Sequence, residues 1–162
     1  MNHYSELWQA FMMKRGAQDH VERDFGYRVK SKALLAQALD ASGMGQADGN
    51  KRLALLGDKM AAAVVTAEWY MSGAPRASAD RLIQAQSDAD LAATARSIDL
   101  VDIITFNPGL SKRQALASAK TLANALEAIL GAIYIDSGND LNAVKAALES
   151  LSIPTSPSDA GE

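Results

Sequence analysis

Asn50-Lys51-Arg52-Leu53-Ala54-Leu55-Leu56-Gly57-Asp58, followed later by Ala123-Asn124-Ala125-Leu126-Glu127-Ala128-Ile129-Leu130-Gly131-Ala132-Ile133-Tyr134-Ile135-Asp136-Ser137-Gly138, sets small, apolar and acidic residues at helical spacing. Leu53, Leu56, Met60, Val64 and Ala67 recur every three to four residues, so a long helix is predicted from about Lys51 to Met71, with Gly73 ending it. In the second stretch Leu122, Leu126, Ile129, Leu130 and Ile133 form one apolar stripe. The spacing predicts a helix from about Leu116 to Asp136, stopped by Ser137-Gly138.

Outward from these two elements the pattern stays helical. Tyr4 to Lys14 presents Leu7, Trp8, Phe11 and Met12, and Gln18 to Phe25 reads as a short helix before Gly26-Tyr27. Ser31 is placed to cap a helix carrying Leu34, Leu35, Ala38 and Leu39. Residues 41–50 are rich in Gly, Asp and Ser and read as a loop. Pro75 opens a further element with Leu82, Ile83 and Ala85, and Ser87 or Asp88 caps another. Leu100 to Phe106 is apolar and β-branched; without a partner strand it is expected to be a buried turn or helical stub. Asn139 or Asp140 begins a last helix with Leu141, Val144 and Leu148. Residues 153–162, polar and holding two prolines, read as a disordered tail after one domain over residues 1–152.

Composition removes whole classes of chemistry. With no cysteine among 162 residues, disulfides, thiolate nucleophiles and cysteine zinc sites are excluded. The two histidines, His3 and His20, lie near the N-terminus, which disfavours a histidine metal cluster or a Ser-His-Asp triad. A 48% hydrophobic content supports a sizeable core. The net charge of −3 argues against strong non-specific nucleic-acid binding, which phosphate neutralisation dominates. There is no signal peptide, Arg-rich transit peptide or membrane-length apolar run, so an intracellular, cytoplasmic protein is expected.

The two quoted stretches resemble the ribonuclease III domain family. Residues 50–58 look like its N-E-R-L-E-F-L-G-D signature, and residues 123–138 like its D-A-x-E-A-x-x-G-A-x-Y-x-D-x-G segment. Leu34 to Leu39 is similar to the family's upstream L-x-x-A-L segment, and Asp88-Ala89-Asp90-Leu91-Ala92 to its S-N-x-x-L-A segment. The resemblance covers roughly residues 25–150 and extends to small stand-alone members from filamentous fungi. It implies an all-α, ribonuclease III-like endonuclease-domain fold, with no double-stranded-RNA-binding domain after it in this chain.

Spacing gives the logic of the site that the resemblance implies. Positions 54 and 58 share one helix face, as do 124 and 127. Acids at these places on packed helices would hold Mg²⁺ or Mn²⁺, hard ions that prefer oxygen ligands and activate water at a phosphodiester. Of the family's four principal carboxylates this chain keeps Asp58 and Glu127; Ala54 and Asn124 stand at the other two, and Lys51 replaces a further acid. Five acids have become two acids and a base. At an effective dielectric near 20, a unit charge ~4 Å away is worth about 4 kcal/mol to a monovalent cation and twice that to a divalent one. Losing two ligands and reversing a third charge therefore undermines metal-dependent catalysis first.

The resemblance further implies a homodimer in which an aromatic residue enters a socket on the partner. Leu55 stands at that position beside Leu56, although both leucines could equally fill the monomer core. Lys112-Arg113, before the last long helix, is a compact basic pair and a candidate RNA contact. The expectation is a catalytically impaired dimer that binds structured RNA or a protein partner and carries no cofactor. The alternative is an active double-stranded RNA endoribonuclease using Asp58 and Glu127 with Mg²⁺ or Mn²⁺.

Overall fold

A computed structural model describes Lys14 and residues 16–160. The helix expected over Tyr4 to Lys14, with its apolar face of Leu7, Trp8, Phe11 and Met12, lies outside the described residues apart from Lys14. The rest is built from helices: α1 (Ala17–Phe25), α2 (Lys32–Ala38), α3 (Lys51–Ser72), α4 (Arg76–Gln84), α5 (Asp88–Ser97), a 3₁₀ turn (Leu100–Asp102), α6 (Lys112–Ala117), α7 (Ala119–Asp136) and α8 (Leu141–Ser150). This is the all-α architecture that the ordered motifs imply.

Local chemistry places most helix ends where the sequence marks them. The Ser31 and Ser87 side chains accept from the backbone N–H groups of Leu34 and Asp90, capping α2 and α5. Gly26 and Gly73 adopt left-handed conformations that a Cβ would strain, and they end α1 and α3. The helix expected from Leu116 starts instead at Ala119. Ser118 accepts from Thr121 and caps α7, and a separate short α6 precedes it under a Ser111–Gln114 capping box.

Helix α7 is the axis of the fold. Its expected stripe of Leu122, Leu126, Ile129, Leu130 and Ile133 is fully enclosed, and so are Ala123, Ala125, Ala128 and Ala132 on its other sides. It is a central helix, with α3 and α5 as its main neighbours and α2, α6 and α8 also packed against it.

The buried face of α3 differs from the expected one. Leu53, Ala54, Gly57, Ala61, Val64 and Val65 are buried, whereas Leu56 and Met60 are half-buried and Ala67 is exposed. Small residues turn inward because α7 approaches so closely. A Cβ on Gly57 would collide with the backbone of Glu127 and Gly131, and one on Gly131 with the Leu53 carbonyl. The glycines of the two motifs thus interlock backbone to backbone.

Residues 100–106 form the 3₁₀ turn and then one isolated parallel bridge, in which Thr105 N–H donates to Leu39 O at 2.9 Å and Ala41 N–H to Thr105 O at 2.9 Å. The disordered tail expected over residues 153–162 is corrected for 153–160. Ile153 and Thr155 are buried, and the Ser156 hydroxyl donates to Asp159 at 2.7 Å. Ile153 contributes its side chain to the core, which the polar average of the segment conceals. No described helix is long and apolar enough to cross a membrane.

Candidate functional site

Beside the glycine crossing, α3 and α7 diverge and leave an open pocket of about 470 Å³. Lys51, Ala54, Leu55 and Asp58 line it from α3, and Lys120, Asn124 and Glu127 from α7. All five positions singled out in the sequence therefore meet at one place. Lys120, at the first turn of α7, is the addition: nothing in the spacing shows that α7 begins next to α3.

The two acids stand in unlike surroundings. Glu127 is 7% exposed, while the Asp58 side chain is 39% exposed and lies 3.3 Å from Lys59 Nζ. Glu127 and Asp58 face the same pocket from α7 and α3. Burial first, and the neighbouring Asp58 charge second, push the Glu127 carboxyl up to about 8; Asp88 adds to this and Lys120 opposes it. At neutral pH Glu127 mostly keeps its proton. Lys120 Nζ is turned to Asp88 at 3.5 Å rather than neutralising Glu127.

A divalent ion would find a poor donor set here. Asp58 and Glu127 are the only carboxylates lining the pocket, Asn124 adds one neutral carbonyl oxygen, Ala54 adds none, and two ammonium groups stand on the walls. No group of three or more His, Asp or Glu side chains suited to a metal forms among the described residues, and neither Asp48 nor Asp88 lines the pocket. The lining does not fit a carboxylate-held metal centre.

A second depression lies on a different face of α3, lined from that helix by Arg52, Leu53 and Leu56. Leu34, Leu53, Leu56 and Ile135 give it apolar walls, Ser31, Gln37 and Arg52 add polar edges, and its volume is about 470 Å³. Leu55, at the edge of the α3–α7 pocket, is 62% exposed, so it does not fill the core of its own chain. Lys112 and Arg113 open α6 and line neither cavity; Lys112 Nζ pairs with Asp102 at 3.0 Å.

Beneath these surfaces Asp136 ties the end of α7 to the segment before α2. Its carboxylate accepts from Lys30 N–H and Ser31 N–H, both at 2.9 Å, and from the Tyr27 hydroxyl at 3.0 Å. Burial alone would raise Asp136, but the three donors together hold it below the usual range; burial and the same bond push Tyr27 up to about 12.

The whole arrangement, with two interlocked motif helices and a polar pocket between them, coincides with a match to the ribonuclease-III-like family model over residues 29–152. The chain belongs to the ribonuclease-III-like family. Ribonuclease 3 of Vibrio campbellii is 32% identical over 133 residues, covering 78% of this chain and 56% of that protein. Ribonuclease 3 of Hahella chejuensis is 30% identical over 151 residues, covering 87% of this chain and 66% of that protein. The chain thus spans between about half and two thirds of the length of these relatives. Among solved structures, the nuclease domain of ribonuclease III from Campylobacter jejuni superposes with a TM-score of 0.69 at 26% identity, covering 83% of this chain and 95% of that one. The description of that structure refers to flexibility in a region involved in dimer formation. Within this ribonuclease-III-like domain, the α3–α7 pocket brings together Lys51, Lys120, Asp58, Glu127 and Asn124.

Proposed function

We propose that this ribonuclease-III-like domain is a catalytically impaired homodimer that works by binding structured RNA rather than cutting it. The observation that carries the reading is the pocket lining: Ala54, Asn124 and Lys51 replace three acids, and Lys120 adds a second ammonium group. Metal-assisted hydrolysis needs an ion to lower the pKa of a water and to neutralise charge developing on the phosphate. Two acids, one of them buried and holding its proton near neutrality, are a weak seat for such an ion. Exposed Leu55 on one face of α3 and an apolar groove on another support the dimer, since the groove on one copy is of a kind to receive the leucine of the other.

A second reading has one observation in its favour. Asp58, Glu127 and Asn124 line one pocket, which gives Mn²⁺ or Mg²⁺ a reduced set of oxygen ligands. In that case the domain is an active double-stranded RNA endoribonuclease.

Cleavage of a long RNA duplex in Mg²⁺ and in Mn²⁺ separates the two. The natural chain is expected to leave the duplex intact, while the variant carrying Lys51→Glu, Ala54→Glu and Asn124→Asp recovers cutting. Metal-dependent cleavage by the natural chain that disappears in Asp58→Ala would overturn the impaired reading. A protein partner in place of RNA would be indicated by a stable dimer with no salt-dependent affinity for duplex RNA.

A further inference from the structure

The pocket between α3 and α7 has lost the character of a cation site without becoming apolar. Its charged lining consists of Lys51 and Lys120 against Asp58 and Glu127, so even with both acids ionised the walls carry no net charge. These charges are unequally engaged. Asp58 is met by Lys59 at 3.3 Å, and Lys120 lies 3.5 Å from Asp88. Lys51, exposed at the start of α3, makes no ion pair among the described residues. Across from it, α7 offers the Asn124 side-chain amide, whose NH₂ carries two donors.

We propose that this pocket holds a phosphate oxyanion directly, without a metal ion, with the Lys51 ammonium and the Asn124 amide of the facing helices as its donors. The proposal rests on the reading of the pocket as one that no longer seats a divalent ion, and it names what the pocket takes instead. An ammonium group is a compact point charge that donates to phosphate oxygens over a range of directions. The pocket is open to solvent and, at about 470 Å³, has room for a phosphate together with the sugar or other group that bears it. Lys120 can turn from Asp88 to the bound oxyanion, because its side chain is 71% exposed and the existing pair is long. Lys51 thereby provides in covalent form the positive charge that a metal would otherwise bring to a phosphate.

The test is a phosphate titration of the ¹⁵N-labelled full chain in EDTA, at constant ionic strength and neutral pH. The Asn124 side-chain amide and the Lys51 backbone amide are expected to shift saturably, and Lys51→Glu is expected to weaken binding by about tenfold or more, the loss of one charge-assisted hydrogen bond. A short RNA duplex that displaces phosphate identifies the source as a phosphodiester; a duplex without effect, with phosphate still bound, identifies a small phosphorylated ligand. No saturable shift at Asn124, an unchanged affinity in Lys51→Glu, or binding that requires Mg²⁺ overturns the proposal. Cleavage of duplex RNA by the natural chain would instead break the impaired reading, whereas a chain that neither cuts RNA nor binds phosphate breaks only this one.

Discussion

The contact between α3 and α7 has two sides that obey different rules. On one side Gly57 and Gly131 bring the helix backbones together so tightly that neither position tolerates a Cβ. On the other, the side chains of Lys51, Ala54, Asp58, Lys120, Asn124 and Glu127 line an open pocket. The seam is constrained by backbone sterics, which admit a single residue type. The pocket is open, so most of its wall positions can change at small cost to the fold. The ribonuclease-III-like architecture therefore depends on the seam more than on the residues that line the pocket.

The strongest way to break the comparison is Gly57→Ala. Its Cβ meets the Glu127 carbonyl on a fully buried helix, so the helices must separate. A loss of about 3 kcal/mol or more, or failure to fold, is expected in urea denaturation. A loss under about 1 kcal/mol would mean that the seam yields and is not the constraint described.

Next comes the buried floor of the pocket. Glu127 titrates near 8 in the fold against an ordinary value of 4.5. Between those values the folded state holds a proton that the unfolded state has released. Stability therefore falls as pH rises from about 4.5 to about 8 and levels off above. Glu127→Gln should abolish this slope and exceed the natural chain by roughly 2 kcal/mol at pH 9, the two converging at low pH, as read by chemical denaturation at several pH values. Parallel pH profiles for both chains would show that Glu127 is ionised in the fold after all.

A smaller effect is expected on the pocket wall. Ala54→Glu with Asn124→Asp crowds four acids together and should cost about 1–2 kcal/mol without metal, recovered on adding Mg²⁺. The melting temperature of the natural chain should not respond to Mg²⁺. An equal response in both would show that the natural lining already seats the ion. The smallest effect belongs to Lys59→Ala: the exposed Lys59–Asp58 pair should contribute less than about 0.5 kcal/mol to the midpoint of denaturation.

Much of this was open to sequence reading, and the misses have physical causes. The caps at Ser31 and Ser87 and the stop at Gly73 follow from local chemistry, which depends on neighbours within a turn. The inward face of α3 was misplaced by following the large residues Leu56 and Met60, because the partner helix comes in over Ala54, Gly57 and Ala61 instead. Ile153 was passed over in a polar segment for a similar reason: one anchored apolar side chain suffices to bring the chain onto the core, and averages hide it.

The sequence by itself determined the helical class, the family, and the identity of the residues at the altered positions, since periodicity, capping and motif order are local properties written residue by residue. Tertiary structure alone decided that Lys120 joins Lys51 at the pocket, that Glu127 is buried against Asp58 while Leu55 stands in solvent, and that the two motif glycines interlock. Those facts depend on the distance and angle between two helices far apart in the chain. Charge, burial and proton affinity are set by that approach, and no spacing within either helix contains it.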